Sequence, residues 1–175
     1  MKNLVMPYTE SGITIDLSDD VEYFCFENCN GYQILSGNHF KEMDIGWYDS
    51  SEDILYIIEL KDFTEKNITD RDIAKQVVLD LVKKSVDSMA MIMAVKAGTH
   101  YSSNIQPCLP PSFNVSTSKI KMIHIINCSE DRKIDIQFLR DKFQEHFEAY
   151  KKLFDIKHCT VVSVQQARKF LSPVF

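Results

Sequence analysis

The chain is poor in the residues that shape tight ligand loops: it has five Gly and five Pro in 175 positions. So few glycines leave no Gly-rich phosphate cradle, and no Gly-x-Ser-x-Gly elbow occurs. Long apolar runs are missing too. None reaches the ~18 residues of a membrane span. The stretch "MKNLVMPYTESG" holds too short an apolar segment for a signal peptide. The expectation is a cytoplasmic protein with no membrane partner. A basic excess is also lacking. With 20 Lys and Arg against 25 Asp and Glu, the net charge is −5. That balance argues against a general nucleic-acid coat protein, while leaving room for an enzyme with a local basic strip. The cysteines are five, an odd number at irregular spacing. Cys25 and Cys29 have no matching second pair, as a structural zinc site would want. Reduced, mostly buried thiols are the expectation.

What is present suits one globular domain over residues 1–175, with a core from about 20 to 165. Eleven Phe and seven Tyr make that core aromatic. Gly12 to Leu17 alternates and reads as a short strand, and Val21 to Cys29 reads as another. Asn30-Gly31 follows, a strong short hairpin signal between apolar runs. His39 to Asp49 and the run "ILYIIELKDF" flank the polar "DSSED", which predicts two antiparallel strands about a turn at Asp49 to Asp53.

A helix is predicted from about Asp70 to Val95, capped by Thr69 and supported by Asp72. Its apolar stripe is Ile73, Val77, Leu81, Met89 and Met93, and Gly98 marks its end. Residues 97–118 hold three of the five prolines and read as a long loop, a flap or an excursion. Lys119 to Asn127 reads as a central strand. A second helix follows, with Ile136, Leu139, Phe143, Phe147, Tyr150 and Phe154 on one face. Thr160 to Val164 closes as a last strand. The fold class is α/β (α+β), a mixed central sheet flanked by helices.

The chemistry concentrates where the strand "DILYIIELKDF" ends. Alternation places Glu59 and Lys61 on one face of an otherwise apolar strand. A turn centred between residues 51 and 52 sets Asp44 across from Glu59. Cross-strand neighbours stand about 5 Å apart at Cβ, and two carboxylates that close repel unless a cation lies between them. Mg²⁺ or Mn²⁺ takes oxygen ligands of this kind. A lysine beside it can orient or activate an attacking water.

Asp44 in "EMDIGW" and Glu59-Leu60-Lys61 in "IIELKD" resemble the PD-(D/E)xK (restriction-endonuclease-like) nuclease superfamily, over roughly Phe40 to Asn127. The resemblance implies a restriction-endonuclease-like sheet and a metal-dependent nuclease. Asp44 and Glu59 would bind the Mg²⁺ or Mn²⁺, and Lys61 would assist the nucleophilic water. Some exonuclease-like branches carry a Gln on the following helix, and Gln76 looks similar. Met43 stands where many members have Pro. The acid that many members place on an earlier helix has no clear counterpart. Glu22, Glu27 or Glu42 could replace it, Glu42 being nearest because it shares a strand face with Asp44.

Against this stands the plainer reading, a solvated strand end with Glu59 and Lys61 as a surface pair worth ~0–1 kcal/mol. His39, five residues before Asp44, could reach a phosphate or metal, or be a loop histidine without a role. His124 reads as a core histidine. His100 and Tyr101 read as flap or solvent-facing loop. Lys66, Arg71, Lys75, Lys83 and Lys84 surround the first helix. Of these, Arg71 and Lys75 lie one turn apart and could touch a nucleic-acid backbone, or belong to an ordinary solvated face. The nuclease reading implies a DNA or RNA partner. The competing class is a non-catalytic protein-interaction or assembly module on the same scaffold, acting as a homo-oligomer or with a protein partner.

Overall fold

The computed structural model describes residues 6–19, 21–64, 70–129 and 133–171. Two short strands, β1 (Tyr8–Glu10) and β2 (Ile13–Ile15), form a separate antiparallel hairpin. The main sheet has five strands in the order β3 (Glu22–Phe24), β4 (Ile45–Asp49), β5 (Ile54–Asp62), β6 (Lys119–Asn127) and β7 (His158–Ser163). The first three pair antiparallel, while β6 and β7 continue parallel to β5. The mixed α/β sheet flanked by helices is therefore as the sequence implied.

The parallel crossovers are made by α2 (Arg71–Lys96) and α3 (Lys133–Leu153). Both lie on one face of the sheet, where Leu81, Met89, Leu139 and Phe143 pack with Leu55, Ile57 and Met122. The other face is covered by the β1–β2 hairpin and the short α4 (Val164–Phe170), through Ile13, Ile15, Ala167 and Leu171 against Ile58, Leu60 and Ile125. Strands covered on both faces read as near-continuous apolar runs, as β5 and β6 do. The core thus reaches beyond 20–165 at both ends.

Several expectations are corrected. Asn30-Gly31 turns no hairpin; it opens the helix α1 (Asn30–Ser36). A Cβ on Gly31 would stand 2.4 Å from the Asn104 carbonyl oxygen, so this glycine admits the backbone of the long loop. The strand at Val21 to Cys29 stops at Phe24, and a 3-10 turn spans Phe26–Asn28. The strand expected from His39 starts only at Ile45. Residues 41–43 instead lie along α2, where Lys41 N–H donates to Asp87 Oδ2 (2.9 Å) and Met43 N–H donates to Ser88 Oγ (2.9 Å). Glu42 and Asp44 therefore share no strand face.

On α2 the buried stripe is Ala74, Val78, Leu81, Ser85, Ser88, Met89 and Ile92, whereas Ile73 is 41 % exposed. Small residues let the helix lie close to the sheet, which rotates Ile73 outward. Asp70 is the N-cap, its side chain accepting from the Asp72 and Ile73 amides. Thr69 and Lys66 fall outside the described residues.

Two of the five cysteines are not thiols. Cys29 and Cys108 form a disulfide, with Cα atoms 5.7 Å apart, tying the 97–118 loop to the start of α1. Cys25, Cys128 and Cys159 remain thiols. That loop carries two 3-10 turns, His100–Asn104 and Gln106–Cys108. Among the described residues, no helix is long and apolar enough to cross a membrane.

Candidate functional site

The β4–β5 turn sets the register. Asp49 Oδ1 accepts from Ser51 N–H (2.9 Å) and Glu52 N–H (3.3 Å), and Asp53 takes the left-handed conformation at φ 54°. Pairing then runs from Asp49 opposite Ile54 to Ile45 opposite Ile58. Asp44, the residue just before β4, lies beyond the last paired rung, whereas the turn position predicts a strand continuing to it and setting it opposite Glu59. Leu60 N–H donates to Asp44 Oδ2 at 2.7 Å. Cys25 Sγ–H donates to the Asp44 carbonyl at 2.9 Å, fixing the residue from its other side.

Both carboxylates are buried, Asp44 7 % exposed and Glu59 0 %. Between them lies an ammonium from α2. Lys84 Nζ is 2.7 Å from Glu59 Oε1 and 3.4 Å from Asp44 Oδ1, and it donates to Glu59 Oε2 at 2.9 Å. Lys61 Nζ stands 3.0 Å from Glu59 Oε1 and 4.0 Å from Asp80 Oδ2, and Asp80 in turn pairs with Lys41. The charges alternate as Asp44, Lys84, Glu59, Lys61, Asp80 and Lys41, leading from the core to the surface. Glu59 Oε1 has ammoniums on two sides yet no directed hydrogen bond.

Burial dominates the protonation behaviour. It pushes Glu59 up to about 7, the Asp44 charge adding to the rise and Lys84 and Lys61 opposing it. Asp44 is raised chiefly by burial, against Lys84 and the Leu60 amide. Burial would lower Lys84, but Glu59 and Asp44 outweigh it and keep the ammonium charged. Asp80 feels the same penalty of burial, which the hydrogen bond and charge of Lys41 overcome, leaving it below the usual range.

His124 neighbours Glu59 on β6. Its Nε2 lies 2.9 Å from Ser85 Oγ, which donates to the Leu81 carbonyl, so Nε2 supplies the proton to that hydroxyl. Nδ1 is then a buried acceptor without a partner. Burial, followed by the charges of Lys84 and Lys61, lowers the imidazole to about 3, so it is neutral. The core histidine read from the sequence is thus only half satisfied.

The remaining expected residues divide. Gln76 and Lys61 line one cleft of about 230 Å³, with Phe63, Val77, Asp80 and Leu81. Glu42 is partly buried and raised by that burial, the Lys84 charge opposing the rise and the Asp44 charge adding to it. Glu22 is not at the site: it accepts from Ser112 N–H at 3.1 Å on the long loop. Glu27 and His39 are exposed, His39 in a left-handed turn after α1 at φ 63°. Arg71 and Lys75 are exposed on the first turns of α2.

Sequence reasoning missed Lys84, Asp80, Ser85 and Ser88 as inward-facing groups. The signal was available: positions 80, 84 and 88 repeat at one-turn spacing along a helix that must cover the sheet.

Mg²⁺ commonly takes one or two protein carboxylates and keeps its waters. The hard oxygens of Asp44 and Glu59 fit that pattern, and Glu59 Oε1 has a lone pair with no aligned donor. Among the described residues there is no group of three or more His, Cys, Asp or Glu arranged to hold an ion by themselves. An ion bound there would compete with Lys84. No family model, curated protein or solved structure matches the chain.

Proposed function

We propose that this chain is a Mg²⁺- or Mn²⁺-dependent nuclease of the PD-(D/E)xK, restriction-endonuclease-like type. The observation that carries the reading is the convergence of Asp44 and Glu59 on one buried point, with Lys61 beside it at the mouth of a cleft. The sheet order, with three antiparallel strands joined through α2 to parallel ones, supports the same type.

Asp44 and Glu59 would hold the ion, which when bound supplies Lewis-acid activation of water and charge for a scissile phosphodiester. Lys61, anchored at 3.0 Å on Glu59 and 30 % exposed, reaches from the buried acid into the cleft. There it orients an attacking water and offsets charge on the phosphate. Gln76 offers an amide on the same wall. Arg71 and Lys75, further up α2, contact the backbone of a DNA or RNA substrate. Without the ion, Lys84 holds the two carboxylates together.

The second reading is a non-catalytic interaction or assembly module. It is favoured by Lys84 itself, because its ammonium already balances both acids.

The deciding experiment pairs Mn²⁺ calorimetry on wild type and Asp44→Ala with cleavage assays on single- and double-stranded DNA and RNA. Binding lost in Asp44→Ala and cleavage lost in Lys61→Ala is the expected result. No Mn²⁺ binding by wild type at millimolar concentration leaves the interaction module as the better reading.

A further inference from the structure

A second, larger cleft lies at the β7 edge of the sheet, on the face away from the acid–lysine chain. Glu59, His124 and Val161 stand in one register row, so their side chains share a face. His158, Thr160 and Val162 alternate with Val161 and face the other way. They line this cleft with Arg140 from α3 and with Gln166, Lys169 and Phe170 from α4. Its volume is about 500 Å³, within the range of small-molecule sites.

The cleft is electropositive in an acidic protein. Arg140 reaches around the sheet edge and is fixed in advance. Its Nε donates to the Val161 carbonyl (2.7 Å), Nη1 to Gln137 Oε1 (3.0 Å) and Nη2 to Gln166 Oε1 (2.9 Å). All three acceptors are neutral, so the guanidinium is oriented while its charge stays uncompensated. Among the described residues, no carboxylate lines the cleft. Among the described residues, Arg140, Lys169 and the neighbouring Lys121 and Lys151 have no carboxylate within 4.0 Å. His158 is held below its usual range by partial burial and then by Lys121 and Lys151, a sign of the same positive field.

We infer that this cleft binds a nucleoside monophosphate. Arg140 and Lys169 take the phosphate, as a planar fork and a mobile point charge respectively. A lone phosphate would leave most of the volume empty. The wall opposite the strand carries Phe170, 50 % exposed, a large aromatic left in solvent at the end of α4. A base stacked on that ring covers it, and Thr160 and Gln166 lie alongside with hydrogen-bonding groups. The site stands apart from the chemistry proposed for Asp44 and Glu59.

The test is calorimetric titration of the full chain with the adenosine, guanosine, cytidine and uridine 5′-monophosphates, with inorganic phosphate as the comparison. EDTA is present so that no ligand is held through an ion at Asp44 and Glu59. At least one monophosphate is expected to bind, one per chain and more tightly than phosphate. Lys169→Glu weakens it by about tenfold or more. Phe170→Ala weakens the nucleotide while leaving phosphate binding unchanged. Lys169 and Phe170 are both exposed, so neither variant threatens the fold. Absence of binding at millimolar nucleotide overturns the inference. So does an affinity unmoved by Lys169→Glu, or phosphate binding as tightly as every nucleotide.

Discussion

Lys84 Nζ lies 2.7 Å from Glu59 Oε1 and 3.4 Å from Asp44 Oδ1, so a single ammonium serves two buried carboxylates. Removing it leaves both acids buried without their shared counter-ion, and breaking a buried pair from one side costs about 3–5 kcal/mol. Lys84→Met is therefore expected to lower urea stability by that order in EDTA. It also removes the competitor for a divalent ion. Added Mn²⁺ should then raise the midpoint of Lys84→Met more than that of wild type, because only binding to the folded state stabilises it. A Lys84→Met midpoint indifferent to millimolar Mn²⁺ would mean that the two acids are a structural pair and no metal site.

Glu59 makes stability depend on pH in a direction opposite to an ordinary surface carboxylate. Burial, with the Asp44 charge adding to it, raises it from 4.5 to about 7. Below about 4.5 both folded and unfolded forms carry the proton. Between about 4.5 and 7 the unfolded chain releases it while the folded one keeps it, so stability falls with each rise in pH. As pH rises through about 7 the folded form ionises too, and the loss levels off at a value on the order of 3 kcal/mol for this group. Asp44, also raised, acts in the same sense. Glu59→Gln mimics the protonated side chain at every pH. Urea unfolding of the two proteins from pH 4.5 to 7.5 should show wild type losing stability relative to Glu59→Gln as pH rises. Parallel pH profiles would show that Glu59 is ionised throughout.

The hairpin carrying Asp44 and Glu59 was legible because a polar turn between apolar runs fixes which residues oppose one another. Lys84 was not. In sequence it belongs to a cationic helix face, and only the docking of α2 onto β5 shows that its long stem carries the charge inward. The same docking hid the true apolar stripe. Ala74, Ser85 and Ser88 are buried because the helix approaches the sheet and residues 41–43 closely, while the more hydrophobic Ile73 is left outside. At α1 the local rule failed. Seven residues are too few to show a helical period, and Asn30-Gly31 carried the stronger hairpin signal. The glycine answers a long-range need, the close passage of Asn104. The disulfide joins cysteines 79 positions apart, beyond any local pattern.

Gly31 gives a direct check of that close passage. A Cβ there would meet the Asn104 carbonyl oxygen at 2.4 Å and its carbon at 2.7 Å, both backbone atoms that cannot rotate away. The Tyr101 hydroxyl donates to the Gly31 carbonyl at 2.8 Å, so the two segments are joined as well as close. Alanine would gain helix propensity of about 1 kcal/mol at most, while the overlap costs about 1–3 kcal/mol. Gly31→Ala is expected to be less stable than wild type, with faster amide exchange in residues 99–108. A gain in stability would show that the loop does not lie on α1.

The disulfide should hold that loop in place. Closing a segment of 79 residues removes unfolded-state entropy worth about 4 kcal/mol in the chain-entropy account. Protein purified without reductant should show three titratable thiols in urea, those of Cys25, Cys128 and Cys159, and five after reduction. Dithiothreitol should lower the urea midpoint of wild type and leave Cys108→Ser unaffected, the reduced wild type resembling the variant. Because Cys29 adjoins α1 and Cys108 lies in the loop, amide exchange on reduction should rise first in residues 99–118. It should leave β5, β6 and the Asp44–Lys84–Glu59 cluster protected. Five thiols in the unreduced protein would remove the bond, and the hydrogen bonds of Tyr101 and the packing of Ile105 and Leu109 would then hold the loop alone.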